Sequence, residues 1–251
     1  MSISMNDIVT MPAFSPYYPI PPARYRGVSM HSVFFKASLD AVNRILPDCF
    51  ESSQDGLCSA TGLTVPWSAN YGEFQESYLT VKCSYKGKVG YFAPVAFLNS
   101  RSSIPAGREI YGTPKVYADI EVGMDERVMF TKTMIAGSSI LGIRSTMNQS
   151  TDISDIPETK PSWRLKVIPR VDGKGVDVMQ LIDGSKVAND VSIRICRKGD
   201  GIVEFAPSPI YDLSDFKPIE YFSAYYVEMD FTEGYGAVSY THLTLPTILL
   251  V

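Results

Sequence analysis

The chain has 251 residues, of which 45% are hydrophobic and 20% are charged, and its formal net charge is -4. This length and balance are typical of one globular domain with a sizeable core, and the acidic charge argues against a nucleic-acid partner, whose phosphates attract basic surfaces. The four cysteines are scattered without a C-x-x-C pair, so neither a zinc site nor a disulfide framework is indicated.

The N-terminal 27 residues lack the basic start and the apolar stretch of a signal peptide. No run in the chain reaches the roughly 18 apolar residues that a membrane-spanning helix needs. We therefore expect a cytoplasmic protein with no membrane partner. Five prolines alternate with aromatic residues in this opening stretch, which predicts an extended arm lying on the domain.

The first regular elements are a strand and a short helix. Residues 28–36 favour a strand. Ser38 is then a suitable N-cap for a helix with an apolar face, and Pro47 marks the end of that helix.

The rest of the chain reads mostly as strands. Alternation predicts strands at residues 78–85 and 116–122, and a long strand is predicted at 221–231. Asp172-Gly173 predicts a hairpin between the strands at 164–169 and 176–182, and Gly199-Asp200-Gly201 predicts another between 191–196 and 202–205. We predict a single, mostly antiparallel β domain over residues 1–237.

Residues 238–251, VSYTHLTLPTILLV, look like translated sequencing-adapter read-through, and we interpret them as a non-native tail. The alternative is a genuine hydrophobic C-terminal strand. A non-native tail would pack poorly, whereas deep burial of Leu243, Leu245 and Leu249 in a regular strand would contradict this interpretation.

Several common catalytic patterns are missing from the sequence. His31 is the only histidine outside the tail, and no G-x-S-x-G, H-E-x-x-H or glycine-rich phosphate loop occurs. We therefore expect no metal site, and either chemistry that depends on another type of side chain or no chemistry.

Residues 107–115, GREIYGTPK, carry the strongest positive signal. Two glycines and a proline fix the backbone there, so Lys115 should enter a strand as its first side chain, on the face opposite Val116. On composition alone, a solvated lysine at a strand end is the more common interpretation.

This string resembles the G-R-E-x-x-G-x-P-K signature of the acetoacetate decarboxylase superfamily, whose lysine forms a Schiff base. Residues 71–73 resemble the Y-x-E segment of the family, and residues 161–169 resemble its P-x-x-x-L-K-x-I-P strand, which is followed by Asp172-Gly173. With the early helix ending in Pro47, these landmarks occur in the family's order and cover nearly residues 20–237.

The resemblance implies a mostly β fold, a double-layered, cone-shaped antiparallel β-barrel with short peripheral helices. It also implies a homo-oligomer that decarboxylates acetoacetate or a related small β-keto acid through Lys115, without metal or organic cofactor. A lysine must be neutral to attack a ketone, although its ordinary pKa is about 10.4. The lysine of acetoacetate decarboxylase is itself the usual example of an amine activated by its surroundings.

The same resemblance implies the remaining site residues. Glu73 would be the active-site glutamate, an assignment that agrees with its shared strand parity with Leu79, and Glu76 is the reserve candidate at the substrate site. Arg26, or else Arg24, would place a cation near the lysine.

Four residues of the motif are expected to have structural roles. Arg108 and Glu109 should form a buried ion pair that holds the loop before Lys115, while Gly112 and Pro114 should shape that loop.

One position departs from the family pattern. Typical members carry a second lysine directly after the Schiff-base lysine, whereas this chain has Val116. Two alternatives therefore stay open: Schiff-base aldol condensation or dehydration of another keto acid such as pyruvate, and a carrier that holds a small ligand without catalysis.

Overall fold

The computed structural model describes residues 4–241. Strands dominate this part of the chain, with two α-helices, α1 (Leu39–Ile45) and α2 (Ser103–Tyr111), and three 3-10 turns at Met5–Asp7, Ile153–Asp155 and Ser214–Phe216. The strands are β1 (Ala23–Lys36), β2 (Glu51–Ser52), β3 (Leu57–Val65), β4 (Trp67–Ser68), β5 (Phe74–Tyr85), β6 (Lys88–Leu98), β7 (Lys115–Tyr117), β8 (Asp119–Asp125), β9 (Val128–Ile135), β10 (Ser138–Thr146), β11 (Gln149–Ser150), β12 (Ser162–Pro169), β13 (Val176–Asp183), β14 (Ala188–Gly199), β15 (Gly201–Phe205), β16 (Glu220–Glu233) and β17 (Ala237–Thr241).

The early helix forms where the sequence predicts it. The Ser38 side chain accepts a hydrogen bond from the backbone N–H of Ala41, which satisfies one of the free donors at the start of α1. The helix ends at Ile45, two residues before Pro47, and its buried face includes Val42.

The larger sheet runs in the order β11-β14-β16-β1-β3-β5-β6-β12-β13-β17, with β2, β4 and β7 paired at its side. Most neighbours are antiparallel. Strand β6 is the exception, because it pairs in parallel with both β7 and β12. The predicted hairpin between β12 and β13 is confirmed, with Arg164 opposite Ile182.

A second sheet, β15-β10-β9-β8, forms an outer layer against the first. The main hydrophobic core lies between the two layers and includes Phe35, Leu79 and Phe97 from the first sheet and Leu141 and Ile143 from the second. Strands β1, β3 and β5 therefore have one face buried against this outer layer.

The hairpin predicted at residues 199–201 is wrong, because β14 and β15 belong to different sheets. Strand β14 pairs with β16, whereas β15 pairs with β10. The backbone passes very close to other groups at this crossing: a Cβ on Gly201 would lie 2.5 Å from a methyl group of Val33. These glycines allow the chain to cross between layers instead of folding back on itself.

The larger sheet curls so that its two halves approach each other. The N–H of Gly234, just after β16, donates to the carbonyl of Val187, which follows β13, at 2.8 Å. The hydroxyl of Tyr111 on α2 donates to the carbonyl of Gly234 at 2.9 Å. The result is the mostly β, double-layered fold that the resemblance implies, with an internal cavity lined by β1, β3, β5, β12 and β16.

Only the first four residues of the predicted non-native tail, 238–241, lie within the described part of the chain. Strand β17 pairs antiparallel with β13, with Gln180 opposite Thr241. Leu243, Leu245 and Leu249 lie outside the described residues, so a non-native tail stays a prediction. Within residues 4–241, no helix combines the length and apolar character needed to cross a membrane.

Candidate active site

The GREIYGTPK string forms the second half of α2 and the turn that leads into β7. Gly112 caps the helix in the left-handed region at φ 66°. A Cβ on this residue would lie 2.6–2.7 Å from the Cβ and backbone of Lys166, so only glycine fits here. Lys115 is the first residue of β7, as the glycines and Pro114 predict, and it lies next to Ala96 of β6.

The side chain of Lys115 crosses α2 at Gly107 and ends in the cavity. A Cβ on Gly107 would lie 2.4 Å from the lysine Cδ, so this glycine provides the space for the stem of Lys115. The amine donates to Ser103 Oγ at 2.9 Å and lies 3.3 Å from a carboxylate oxygen of Glu76. The side chains of Lys115 and Glu76 are each only 12% exposed.

The cavity has a volume of about 270 Å³, close to the lower end of the range for ligand pockets, which suits a small molecule. Its apolar wall includes Met30, Leu63, Phe74, Met229 and Phe231. Its charged or ionisable groups, apart from tyrosines, are Lys115, Glu76, Arg164 and Glu233.

The structure does not place Glu73 in this cavity. Glu73 is exposed and borders a separate depression formed with Thr64, Pro66 and Asn99. The expectation that Glu73 lies beside the Lys115 amine is therefore wrong. Glu76, the reserve candidate, occupies that position instead.

The parity argument for Glu73 failed because β5 is buried on both faces. Leu79 and Val81 point into the core between the two layers, whereas Phe74, Glu76 and Tyr78 line the cavity. The apolar alternation thus marked the interlayer face, and the catalytic candidate lies on the opposite one.

The prediction that Arg26, or else Arg24, lies near the Lys115 amine is also wrong. Arg26 and Arg24 are both exposed on β1, and the Arg26 guanidinium donates to the carbonyl of Tyr25 at 2.9 Å. The cation that lines the cavity is Arg164 on β12. A Cβ on Gly184 would lie 2.8 Å from its Cζ and 3.0 Å from both terminal nitrogens, so Gly184 makes room for the guanidinium.

Arg108 and Glu109 do not form the expected buried ion pair. Arg108 is exposed and donates to the backbone carbonyl of Lys115 at 3.2 Å. Glu109 accepts a hydrogen bond from the hydroxyl of Tyr18, a buried residue of the N-terminal arm. Successive residues of a helix point in different directions, so Arg108 and Glu109 do not meet. Each of them instead holds α2 in place through its own contact.

Glu233 was missed at the sequence level. It accepts a hydrogen bond from the Tyr25 hydroxyl at 3.0 Å. Burial raises the pKa of Glu233 above its ordinary value, an effect that the charge of Lys115 and the Tyr25 hydrogen bond partly offset. Its shared parity with Met229 and Phe231 on β16 was an available signal.

The described residues also bear on metal binding. Within residues 4–241, no group of three or more histidine, cysteine, aspartate or glutamate side chains is arranged to hold a metal ion.

Comparison with known proteins places this chain in a family. The family model described as acetoacetate decarboxylase (ADC) matches residues 10–243. The chain belongs to the acetoacetate decarboxylase family. A relative named acetoacetate decarboxylase from Paraburkholderia xenovorans is 24% identical over 250 residues, which cover 96% of each protein.

Solved structures agree on the fold. The crystal structure of acetoacetate decarboxylase from Legionella pneumophila superposes with a TM-score of 0.86 at 25% identity, covering 97% of this chain and 98% of that one. The enduracididine biosynthesis enzyme MppR, complexed with pyruvate, superposes with a TM-score of 0.75 at 18% identity, covering 91% and 96% of the two chains. Family membership supports an enzyme that processes a keto acid through a Schiff base.

Proposed function

We propose that this protein is a lyase that decarboxylates a small β-keto acid through a Schiff base on Lys115. The observation that carries the proposal is the position of the Lys115 amine, which lies inside a small cavity and 3.3 Å from Glu76. Relatives named acetoacetate decarboxylase support the same reaction.

The first half of the reaction forms the imine. Glu76 accepts a proton from the Lys115 ammonium, and the neutral amine attacks the ketone carbon of the substrate. Glu76 then returns the proton to the carbinolamine hydroxyl, which leaves as water. The distance of 3.3 Å between the Glu76 carboxylate and the Lys115 amine supports the first of these transfers.

The second half breaks a carbon–carbon bond. The electron pair of the bond to the carboxylate moves into the protonated imine, carbon dioxide leaves, and an enamine remains. A proton must then reach the enamine carbon. Glu233 is suited to donate it, because burial raises its pKa and favours the protonated form. Water finally hydrolyses the product imine and releases the ketone and Lys115.

The hydrogen bond from Lys115 to Ser103 has a separate role in this scheme. Ser103 is buried at the start of α2, and its hydroxyl lies 2.9 Å from the amine. Ser103 and Glu76 thus both hold the Lys115 nitrogen, which fixes its position in the cavity and the orientation of its N–H groups. We expect this positioning to bring the amine to the same place before each turnover.

The test is reductive trapping of the imine. We expect borohydride to attach a β-keto acid to wild-type protein at Lys115, as located by peptide mass spectrometry, and we expect wild-type protein to release carbon dioxide from that acid. Lys115→Ala should abolish both. Lys115→Arg should do the same, since a guanidinium stays charged and cannot attack a carbonyl.

A matched control is available on the outer layer. Lys132 is exposed on β9, so Lys132→Ala should leave trapping and turnover unchanged. Trapping at another lysine, or turnover by folded Lys115→Ala, would contradict the proposal. Absence of trapping with every keto acid tried would favour a carrier instead of an enzyme.

A further inference from the structure

Of the four charged side chains that line the cavity in the described part of the chain, only Arg164 has no role in the proposed reaction. It lies on the cavity face of β12, while its neighbours Trp163 and Leu165 pack into the interlayer core. Within residues 4–241 its guanidinium forms no ion pair with any carboxylate. A partly buried cation without a partner is costly, which makes this position a candidate for binding an anion.

The position of the guanidinium depends on Gly184. Three of its atoms would lie 2.8–3.0 Å from a Cβ at that residue, so any larger side chain would force Arg164 to move. Arg164 is therefore held against the backbone of Gly184, with its planar donor groups available to the cavity. Such a fork matches the geometry of a carboxylate.

The charges of the cavity point to the same conclusion. Lys115 and Glu76 form a pair, and they neutralise each other. Burial raises the pKa of Glu233, although the charges of Lys115 and Arg164 and the Tyr25 hydrogen bond oppose that rise. Among the described residues, no carboxylate lies within ion-pair distance of Arg164, so a negative charge on a bound molecule can pair with it directly.

The carboxylate that leaves as carbon dioxide is a poor match for Arg164. Its negative charge moves into the enamine in the transition state, so an ion pair with Arg164 would stabilise the ground state more than the transition state. Such an interaction would slow the reaction. Arg164 is better matched to a carboxylate that the substrate retains.

We infer that Arg164 binds a second, retained carboxylate, so that the substrate is a β-keto dicarboxylic acid that loses only one of its two carboxylates. This inference rests on the proposed function and specifies its substrate class. The leaving carboxylate then lies away from Arg164, against the apolar wall, while the ion pair fixes the other end of the molecule.

The test compares 3-oxoglutarate, a β-keto acid with two carboxylates, with acetoacetate, which has one. The first loss of carbon dioxide converts 3-oxoglutarate into acetoacetate, so initial rates are compared, before acetoacetate accumulates. We expect wild-type protein to show a kcat/KM for this first release of carbon dioxide, above the spontaneous rate, that is about tenfold to a hundredfold higher for 3-oxoglutarate, as a charge-assisted hydrogen bond allows. Arg164→Gln should lower kcat/KM for 3-oxoglutarate at least tenfold more than for acetoacetate. Arg164→Lys should restore part of the preference.

Two further variants separate position from charge. Gly184→Ala keeps the charge but displaces the guanidinium, so it should also reduce the preference for 3-oxoglutarate. Arg170 lies just beyond the end of β12, where it is exposed and pairs with Asp172. Arg170→Gln should therefore change neither substrate's kcat/KM.

The outcomes distinguish this inference from the proposed function. Trapping at Lys115 without a preference for 3-oxoglutarate, or equal losses on both substrates in Arg164→Gln, overturns the role of Arg164 alone. Arg164-dependent trapping of pyruvate without turnover of 3-oxoglutarate overturns the dicarboxylate in favour of a 2-keto acid. Absence of trapping with all three acids overturns the proposed function, and this inference with it.

Discussion

Two clusters of polar side chains, one buried and one partly buried, lie on opposite faces of β1 and β5, and they differ in charge and in hydrogen bonding. The interlayer cluster consists of His31, Ser77, Thr131, Thr133 and Ser145, between the two sheets. The ring nitrogens of His31 lie 2.7 Å from Ser145 Oγ and 2.6 Å from Thr131 Oγ1, and Ser77 bonds to Thr133 at 2.6 Å. Each member has a partner within the cluster.

The cavity cluster consists of Lys115, Glu76, Glu233 and Arg164. Its members can carry charge, and Arg164 has no ion-pair partner within the described part of the chain. A buried polar group with a neutral partner stabilises the fold, whereas an incompletely paired charge costs stability unless a ligand completes it. The comparison therefore indicates that the interlayer cluster supports the structure and that the cavity cluster serves a ligand.

The largest effect that would sharpen this comparison is expected at Glu76. Glu76→Gln keeps the shape of the side chain but cannot exchange protons, so kcat should fall by about a hundredfold to ten-thousandfold, with thermal unfolding little changed. Glu73→Gln is the matched control three residues away. Because Glu73 is exposed outside the cavity, its variant should keep wild-type turnover. A larger loss in Glu73→Gln than in Glu76→Gln would reverse the assignment.

The second prediction concerns the pH dependence of the interlayer cluster. Burial lowers the pKa of His31 from its ordinary 6.5 to about 4. The unfolded chain binds this proton at higher pH than the folded protein does. The contribution to stability is thus fully present above pH 6.5 and is lost as pH falls toward about 4. The loss amounts to about 3 kcal/mol of unfolding free energy.

The His31→Gln variant should lack the part of the pH dependence of the unfolding free energy that comes from His31. Urea unfolding at intervals between pH 7.5 and 4 measures it, as the difference in slope between wild type and variant. Parallel curves for the two proteins would show that His31 takes up its proton equally well in the folded state, contrary to its burial between the sheets.

The smallest expected effects come from a pair of glycines, one in each region. A Cβ on Gly62 would lie 1.9 Å from Thr131 Oγ1 and 2.8 Å from a ring nitrogen of His31. Gly62→Ala should therefore push the interlayer cluster apart and lower the unfolding free energy by about 1–3 kcal/mol. Turnover per folded molecule should change little.

Gly107→Ala should show the opposite pattern. The new methyl group displaces the stem of Lys115, so kcat should fall. Stability should be retained, since alanine is favoured over glycine within a helix by about 1 kcal/mol. Both variants are compared by denaturant unfolding and by turnover. If both lose stability to the same extent, the separation of structural and functional faces is wrong.

Part of the fold and of the candidate site could be predicted from local signals in the sequence. The helix cap at Ser38, the β12–β13 hairpin and the turn before Lys115 each depend on residues close together in the chain. Helix α2 was not predicted, because Pro105 and Gly107 are poor helix formers. Pro105 is tolerated in the first turn, where its missing N–H would have no helical partner.

Features that depend on the packing of distant segments could not be predicted in the same way. Whether β14 and β15 pair with each other is decided by the two sheets that compete for them. The choice between Glu73 and Glu76 required the knowledge that β5 has two buried faces. Arg164 looks like an ordinary charged residue in an alternating strand, since Gly184, which makes room for it, is distant in sequence.

The passage of Lys115 across Gly107 also has a consequence for conformational entropy. A free lysine side chain samples many rotamers, and fixing it costs about 2 kcal/mol. Here the stem is confined against α2, and the amine is held by Ser103 and Glu76. That ordering cost is met when the protein folds, so it does not have to be met again each time a substrate reaches the nitrogen.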